Sequence, residues 1–180
     1  MARINKTILR EASLFYTKVK FENKLDVVTK DLQELLDGIQ NKGVFCQLLH
    51  LEQITLEEKV KIMADILVDM SEDTKEYLAP YLNEEMIFHL VEAIEAFLNI
   101  YESNKLEIVT AVPLTDEQIE TIAMAFQKKT NKEYDAWLNI IDDNIIAGVL
   151  VKSKEYLYDG TVMNKLNQFK NNLHHTDLKG

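Results

Sequence analysis

The sequence predicts an α+β chain that is mainly α: a six-helix N-terminal bundle over residues 1–104, then a small domain over 105–180 with a short β-sheet and helices. Three observations carry this prediction. As far as Tyr101, apolar residues recur at the spacing of one helix face. Near Leu106 the period falls to two, the spacing of a strand. Between them the chain turns polar from Glu102 to Lys105, which places a boundary there.

The first helix covers about residues 5–20, with Ile8, Ala12, Phe15 and Val19 on its buried stripe. The second covers about 24–37 on Leu25, Val28, Leu32, Leu35 and Ile39, with Gly38 as a left-handed C-terminal residue and Asn41-Lys42-Gly43 as a turn. Val44 to Leu49 reads as a short third helix. Thr55 and Glu58 form a capping box that opens a fourth, which carries Val60, Met63, Ala64 and Leu67 to about Asp69. Ser71 caps a fifth containing Tyr77, Leu78, Tyr81 and Leu82. Pro80 bends or ends it, because proline lacks an amide hydrogen and clashes with the preceding turn. Glu84 and Glu85 open the sixth at the positive end of its dipole, and its stripe is Ile87, Leu90, Ile94, Phe97 and Tyr101.

Leu106, Ile108 and Thr110 then alternate with Glu107, Val109 and Ala111 in a strand closed by Pro113. Thr115 to Gln118 is a second capping box, flanked by Leu114 and Ile119 as a hydrophobic staple, and its helix runs to about Lys129. Residues 132–140 read as a strand with Tyr134, Ala136, Leu138 and Ile140 on one side and Trp137 on the other. Ile145 to Val151 is an apolar run with the length and composition of a buried strand. After a polar connection at Ser153-Lys154-Glu155, Tyr156 to Tyr158 forms a short aromatic strand. Asp159-Gly160 turns the chain, glycine being free to take positive φ. Val162, Leu166, Phe169 and Leu173 share one face of the last helix. The order β-α-β-β-β-α places helices on one face of a small sheet.

A chain that is 47% hydrophobic and 28% charged over 180 residues has enough apolar material to bury a core. Its net charge of -10, with no single basic stripe to offset it, argues against a nucleic-acid partner, which requires clustered Lys and Arg. The single cysteine, Cys46, excludes an internal disulfide and a cysteine-based zinc cluster, fits a reducing compartment, and reads as a small buried apolar residue. No apolar run approaches the ~18–20 residues a spanning helix needs. The N-terminal stretch lacks the apolar segment and cleavage site of a signal peptide. Membrane association is therefore expected only through a partner.

Sites for chemistry are sparse. The five glycines are too scattered for a phosphate-binding loop. Glu85 and His89 stand four apart as a solvated pair, but a metal needs three or four ligands, and His174-His175 lie in a polar tail. Asp142 and Asp143 are adjacent on an extended segment and point apart, which suits a turn rather than acid–base work. No serine sits in a nucleophile elbow. Trp137 either packs under a helix or anchors an interface. No catalytic residue, metal or cofactor is expected.

Four stretches carry a resemblance. Thr110 to Gln118, TAVPLTDEQ, is similar to the "saVPLseeQ" segment of the δ subunit family of bacterial F-type ATP synthase, to which the mitochondrial oligomycin-sensitivity-conferring protein is related. Lys128 to Lys132, KKTNK, resembles the family's "kKTGK" turn. Asp142 to Val151 resembles "vDpsLiGGvvv", and Tyr158 to Val162 resembles "iDGSVrgkL". The chain departs from the pattern at Ala147, where the family has the first glycine of a pair, and at Asn131, where it has glycine. Ala is small and Asn tolerates left-handed φ. The family's "YAkALF" survives only as Arg10 to Phe15, REASLF.

The resemblance implies a non-catalytic stator subunit that neither binds nor hydrolyses ATP. Such a subunit joins the α3β3 catalytic head to the b subunits of the peripheral stalk, so that proton-driven rotation is coupled to ATP synthesis. It further implies a groove between the first and fifth helices that holds the N-terminal helix of an α subunit, with Leu9, Ala12, Tyr16, Tyr77, Leu78 and Tyr81 as candidate lining residues. The C-terminal domain would hold the C-terminal ends of the b subunits, through Val162, Leu166, Phe169 and Leu173. The implied location is the cytoplasmic face of the bacterial cell membrane, as a peripheral protein. The alternative is a helical adaptor or regulatory module with a different protein partner. A small-molecule enzyme would need a pocket of perturbed titratable groups, and no constellation here would line one.

Overall fold

The Asn5 side chain accepts from the Thr7 amide at 3.1 Å and caps α1 (Lys6–Phe21). The computed structural model describes residues 5–42 and 53–176, and the chain divides into two units, Met1–Tyr101 and Glu102–Gly180. In the first unit α1 buries the expected Ile8, Ala12, Phe15 and Val19, and Tyr16 with them. Asn23 then takes a left-handed φ of 56°, and the Lys24 amide donates to the Val19 carbonyl at 2.9 Å, reversing the chain into α2 (Leu25–Lys42).

Helix α2 corrects two expectations. Gly38 is not its cap but an interior residue, and Asn41-Lys42 belong to the helix rather than to a turn. The buried stripe Leu25, Val28, Leu32, Leu35 and Ile39 runs through the glycine, and its burial outweighs a helix penalty of about 1 kcal/mol. The expected helix at 44–49, with Cys46, lies outside the described residues. The Thr55–Glu58 capping box is present and opens α3 (Leu56–Ile66), which tightens into a 3-10 turn at Leu67–Asp69. Ser71 caps α4 (Glu72–Leu78), and the chain leaves it at Pro80 through the 3-10 turn Ala79–Tyr81. Glu84 and Glu85 do not open the next helix. The Asn83 side chain accepts from the Glu85 and Met86 amides, both at 3.0 Å, and holds them in a turn. A 3-10 turn, Ile87–His89, then leads into α5 (Leu90–Asn104). Among the described residues five α-helices precede residue 105 and seven are present in all; of the six that the sequence predicts before 105, the one at 44–49 lies outside them.

The second unit is a four-stranded sheet in the order β2-β1-β3-β4: β1 (Lys105–Thr110), β2 (Ala136–Ile141), β3 (Val149–Lys152) and β4 (Leu157–Asp159). Strands β1 and β2 are parallel and joined by the crossover helix α6 (Asp116–Thr130), while β1–β3 and β3–β4 are antiparallel. The Thr115–Gln118 capping box forms as expected, and Leu114 and Ile119 both pack on the core of Leu106, Ile108, Ala123, Phe126, Tyr134 and Val151. Asn131 closes α6 with φ 51°, the left-handed conformation that asparagine tolerates. The last described element is α7 (Val162–Thr176).

The expected buried strand at 145–151 begins only at Val149, and Ile146 is exposed. The cause is local. The Asp142 carboxylate accepts from the Asn144 amide at 2.9 Å, and the Ile145 amide donates to the Asp142 carbonyl at 3.0 Å, so a turn absorbs the start of the run. Gly148, at φ 95°, then passes so close to Gly160 that a Cβ would stand 2.6 Å from the Gly160 carbonyl oxygen. Gly160 does not take the expected positive φ. It is confined by space, a Cβ there meeting Tyr158 at 3.0 Å and the Val149 oxygen at 3.1 Å. The other two strand starts also move. Tyr134 leaves the strand to pack on Phe126, with ring centroids 5.8 Å apart, so β2 starts at Ala136. Tyr156 stays in the turn, its amide donating to Ser153 Oγ at 3.1 Å, so β4 starts at Leu157.

The two glycine environments separate in a stability measurement. Gly148→Ala is expected to lower unfolding free energy by more than about 1 kcal/mol in urea, through strained φ and backbone overlap. Gly38→Ala adds a methyl that meets nothing within 4 Å and is expected to raise it by about 0.5–1 kcal/mol.

Candidate partner-binding faces

Three polar bridges cross the seam between α1 and the α4 segment. Lys18 pairs with Glu76 at 2.7 Å, Lys24 with Asp73 at 3.0 Å, and the Tyr81 hydroxyl donates to Glu11 at 2.8 Å. Beneath them lies an aromatic core. Phe15 stacks on Tyr77 with centroids 4.5 Å apart, and Phe97 of α5 tilts against both at 5.8 Å. Burial pushes the Tyr77 and Tyr81 hydroxyls well above the usual phenol range, and the bond to Glu11 adds to the rise at Tyr81. Both stay protonated donors, Tyr77 to the Ala93 carbonyl at 2.8 Å.

Of the six candidate groove residues, Ala12, Tyr16, Tyr77, Leu78 and Tyr81 are buried inside the bundle, and only Leu9 is exposed. At ~100° per residue, Leu9 stands about 160° around α1 from Glu11, on the flank away from the seam. The exposed apolar residues of α1 on the flank of Glu11 and Lys18 are Leu14, 65% exposed, and Phe21, 89% exposed. They lie off the stripe that marks the buried face of α1. Their spacing of i and i+7, a second short stripe, is the sequence signal that points to them.

Two further contacts fix the elements around the seam. The Asp31 carboxylate of α2 accepts from the Ser71 amide at 2.9 Å and the Thr74 hydroxyl at 2.8 Å, holding the start of α4. Partial burial acts to raise its pKa, but the bonds from Ser71 and Thr74 prevail and hold it below the ordinary carboxylate value. His89 meets Glu92 at 2.9 Å rather than Glu85, which sits in the preceding turn. Glu92 also accepts from the Asn5 amide at 2.6 Å, and these bonds, the Asn5 amide first, lower its pKa.

In the second unit α7 presents the expected stripe to solvent: Val162 is exposed, Leu166 is 57% and Phe169 63% exposed, and Met163 flanks them. The Leu173 side chain is outside those described. Strand alternation places Leu106, Ile108 and Val151 toward α6, which leaves Leu138, Ile140 and Leu157 exposed on the opposite face. That face also carries an ion cluster, with Glu107 meeting Lys152 at 2.8 Å and Lys105 at 3.1 Å. Burial works to raise the Glu107 pKa, but the two lysines outweigh it. Trp137, on edge strand β2, is neither buried under a helix nor fully free.

Among the described residues no group of three or more His, Cys, Asp or Glu could hold a metal ion, and no helix is long and apolar enough to cross a membrane. The displaced titratable groups all serve structural bonds. Each unit instead exposes apolar side chains, as surfaces that bind protein partners do. The chain belongs to the ATP synthase delta (OSCP) subunit family, whose model matches residues 12–173. It is 29% identical over 166 residues to ATP synthase subunit delta of Clostridium botulinum (strain Loch Maree / Type A3), a match covering 89% of this chain and 92% of that one. It is 27% identical to the Clostridium kluyveri (strain NBRC 12016) subunit, covering 89% and 91%. Among solved structures it is similar to a chain in the cryo-EM structure of the Toxoplasma gondii mitochondrial ATP synthase hexamer, at 17% identity and a TM-score of 0.47, covering 94% and 98%. The chain is thus a stator component of ATP synthase and a non-catalytic structural subunit.

Asp31 gives a pH prediction. Its folded-state pKa is depressed, so its contribution is full above the ordinary carboxylate value and lost as pH falls through the lowered one. In urea melts from about pH 6 to pH 3, Asp31→Asn is expected to lose about 1 kcal/mol at the upper end and to converge with the parent at the lower.

Proposed function

We propose that this chain joins the α3β3 catalytic head to the b subunits of the peripheral stalk, so that proton-driven rotation is coupled to ATP synthesis. It does so at the cytoplasmic face of the bacterial membrane and reaches the membrane only through the complex. The observation that carries the reading is that each unit of a delta-family chain keeps its own exposed apolar stripe, Leu14 with Phe21 in one and Leu166 with Phe169 in the other. The N-terminal helix of an α subunit lies along the α1–α4 seam, a helix-in-groove mode with Leu14 and Phe21 as outer contacts. Ala12, Tyr16, Tyr77, Leu78 and Tyr81 form the packed floor that sets the seam's shape, and Leu9 extends the surface on the far flank of α1. The b-subunit ends dock on Val162, Leu166, Phe169 and Leu173 of α7, together with Leu138, Ile140 and Leu157 of the open sheet face.

Calorimetric titration of the full chain with synthetic partner segments tests both joints. Leu14→Asp with Phe21→Asp is expected to weaken the α N-terminal helix by at least about tenfold, from the loss of ~1.5–3 kcal/mol per buried apolar side chain, with helical circular dichroism unchanged. Leu166→Asp with Phe169→Asp should do the same to the b segment and leave the α segment alone. Absence of saturable binding by the parent chain, or equal affinity of the variants, would overturn the assignment.

A further inference from the structure

Among the described residues strand β4 pairs only with β3; on its outer edge the Asp159 carbonyl accepts from Asn164 Nδ2 at 2.8 Å, which leaves the backbone groups of Leu157 and the Asp159 amide as the open part of that edge. Beside that edge, Phe126, Lys129 and Thr130 of α6 and Tyr156, Leu157 and Tyr158 enclose a hollow. Tyr158 lies across from Val151, a core residue, so its ring is on the α6 side, where Lys129 Nζ stands 3.9 Å above the ring centre. Leu157 points to the other face, and Tyr156, Leu157 and Tyr158 are all exposed. Among the described residues no carboxylate pairs with Lys129 or its neighbour Lys128, whereas Lys132, at the same end of the helix, is held by Glu155 at 3.0 Å. In a chain of net charge -10, this corner combines unpaired cations, aromatic rings and a partly open strand edge.

We propose that the β4 edge and its hollow receive an extended acidic peptide segment as a fifth strand. Backbone bonds to β4 would hold the segment. Alternate side chains would fall beside Tyr158 and Lys129 on one face and beside Leu157 on the other, the usual geometry of strand addition. A carboxylate on the α6 face completes a pair with Lys129, and this selects an acidic segment over a basic one. The proposal shares Leu157 with the proposed stalk face but rests on Lys129 and Tyr158 on the α6 side, so a failure at Lys129 leaves the stator reading standing.

The test uses the full 15N-labelled chain and the peptide Ac-Glu-Val-Glu-Thr-Glu-Val-Glu-NH2, with a counterpart carrying lysine at each glutamate. The acidic peptide is expected to shift the amides of Leu157–Asp159 and the last turn of α6 saturably. Raising salt from about 0.05 to 0.5 M should weaken it, because an exposed pair is screened. Lys129→Glu, a surface change whose fold is verified in the same spectra, should weaken binding at least about tenfold, and Lys129→Gln by less. Equal binding of the lysine peptide, an unchanged affinity in Lys129→Glu, shifts confined to other elements, or no saturable shift would each overturn the proposal.

Discussion

Phe15 lies face to face with Tyr77, their planes 8° from parallel, and Phe97 closes on both rings. This contact sets the N-terminal unit because α4 is only seven residues long, too short to persist by its own hydrogen bonds. Its position comes from the aromatic stack on one side, from Asp31 at its first turn and from the Pro80 bend at its last. The Tyr77 hydroxyl finds the Ala93 carbonyl, so the buried ring leaves no unsatisfied donor. The bridges above it follow from that distance. Lys18–Glu76 and Lys24–Asp73 are exposed pairs that contribute little stability, but they fix how α1 and α4 face solvent.

In the C-terminal unit the comparable constraint is a close backbone crossing. Gly148 and Gly160 approach more closely than a side chain allows, and just beyond them the Val162 amide donates to the Ala147 carbonyl at 3.0 Å. The start of α7 is fixed by this crossing and by Asn164, whose Nδ2 donates to the Asp159 carbonyl at 2.8 Å, while Leu166 and Phe169 further along the helix stay exposed. At the other end of the sheet Asn139 plays a related part. Its Oδ1 accepts from the Leu114 amide at 2.9 Å while its Nδ2 donates to the Ile108 carbonyl at 2.9 Å, pinning the bend after β1 to β2.

What could be read from the sequence was mostly local. Both capping boxes, the Ser71 cap and the Pro80 ending depend on residues within one turn of each other, and all formed. The failures came where a side chain or a tertiary contact overrode a local rule: Asn83 claiming the amides of Glu85 and Met86, a buried stripe carrying α2 through Gly38, and a turn absorbing Ile145. The groove candidates show a different limit. Tyr77 and Tyr81 have the amphipathic character of interface residues, and only the bundle's packing reveals them as buried core while Leu14 and Phe21 are exposed. Asn23 and Asn131 adopt the same left-handed turn, yet only the second could be anticipated, because a family glycine occupies its place.

The exposed stripes also bear on why such a chain has two units. A joint formed by two or three apolar side chains is modest beside the entropy lost on association. Two such joints in one assembly each raise the effective concentration at the other, so a connector can hold firmly through contacts that are individually weak. The same logic explains an apolar helix face left in water. A fifteen-residue helix with little of its stripe buried is marginal by itself, and a partner that covers Leu166 and Phe169 stabilises the helix as it binds. Tighter packing of α7 against its own sheet would stabilise the free chain while removing the surface proposed for the stalk.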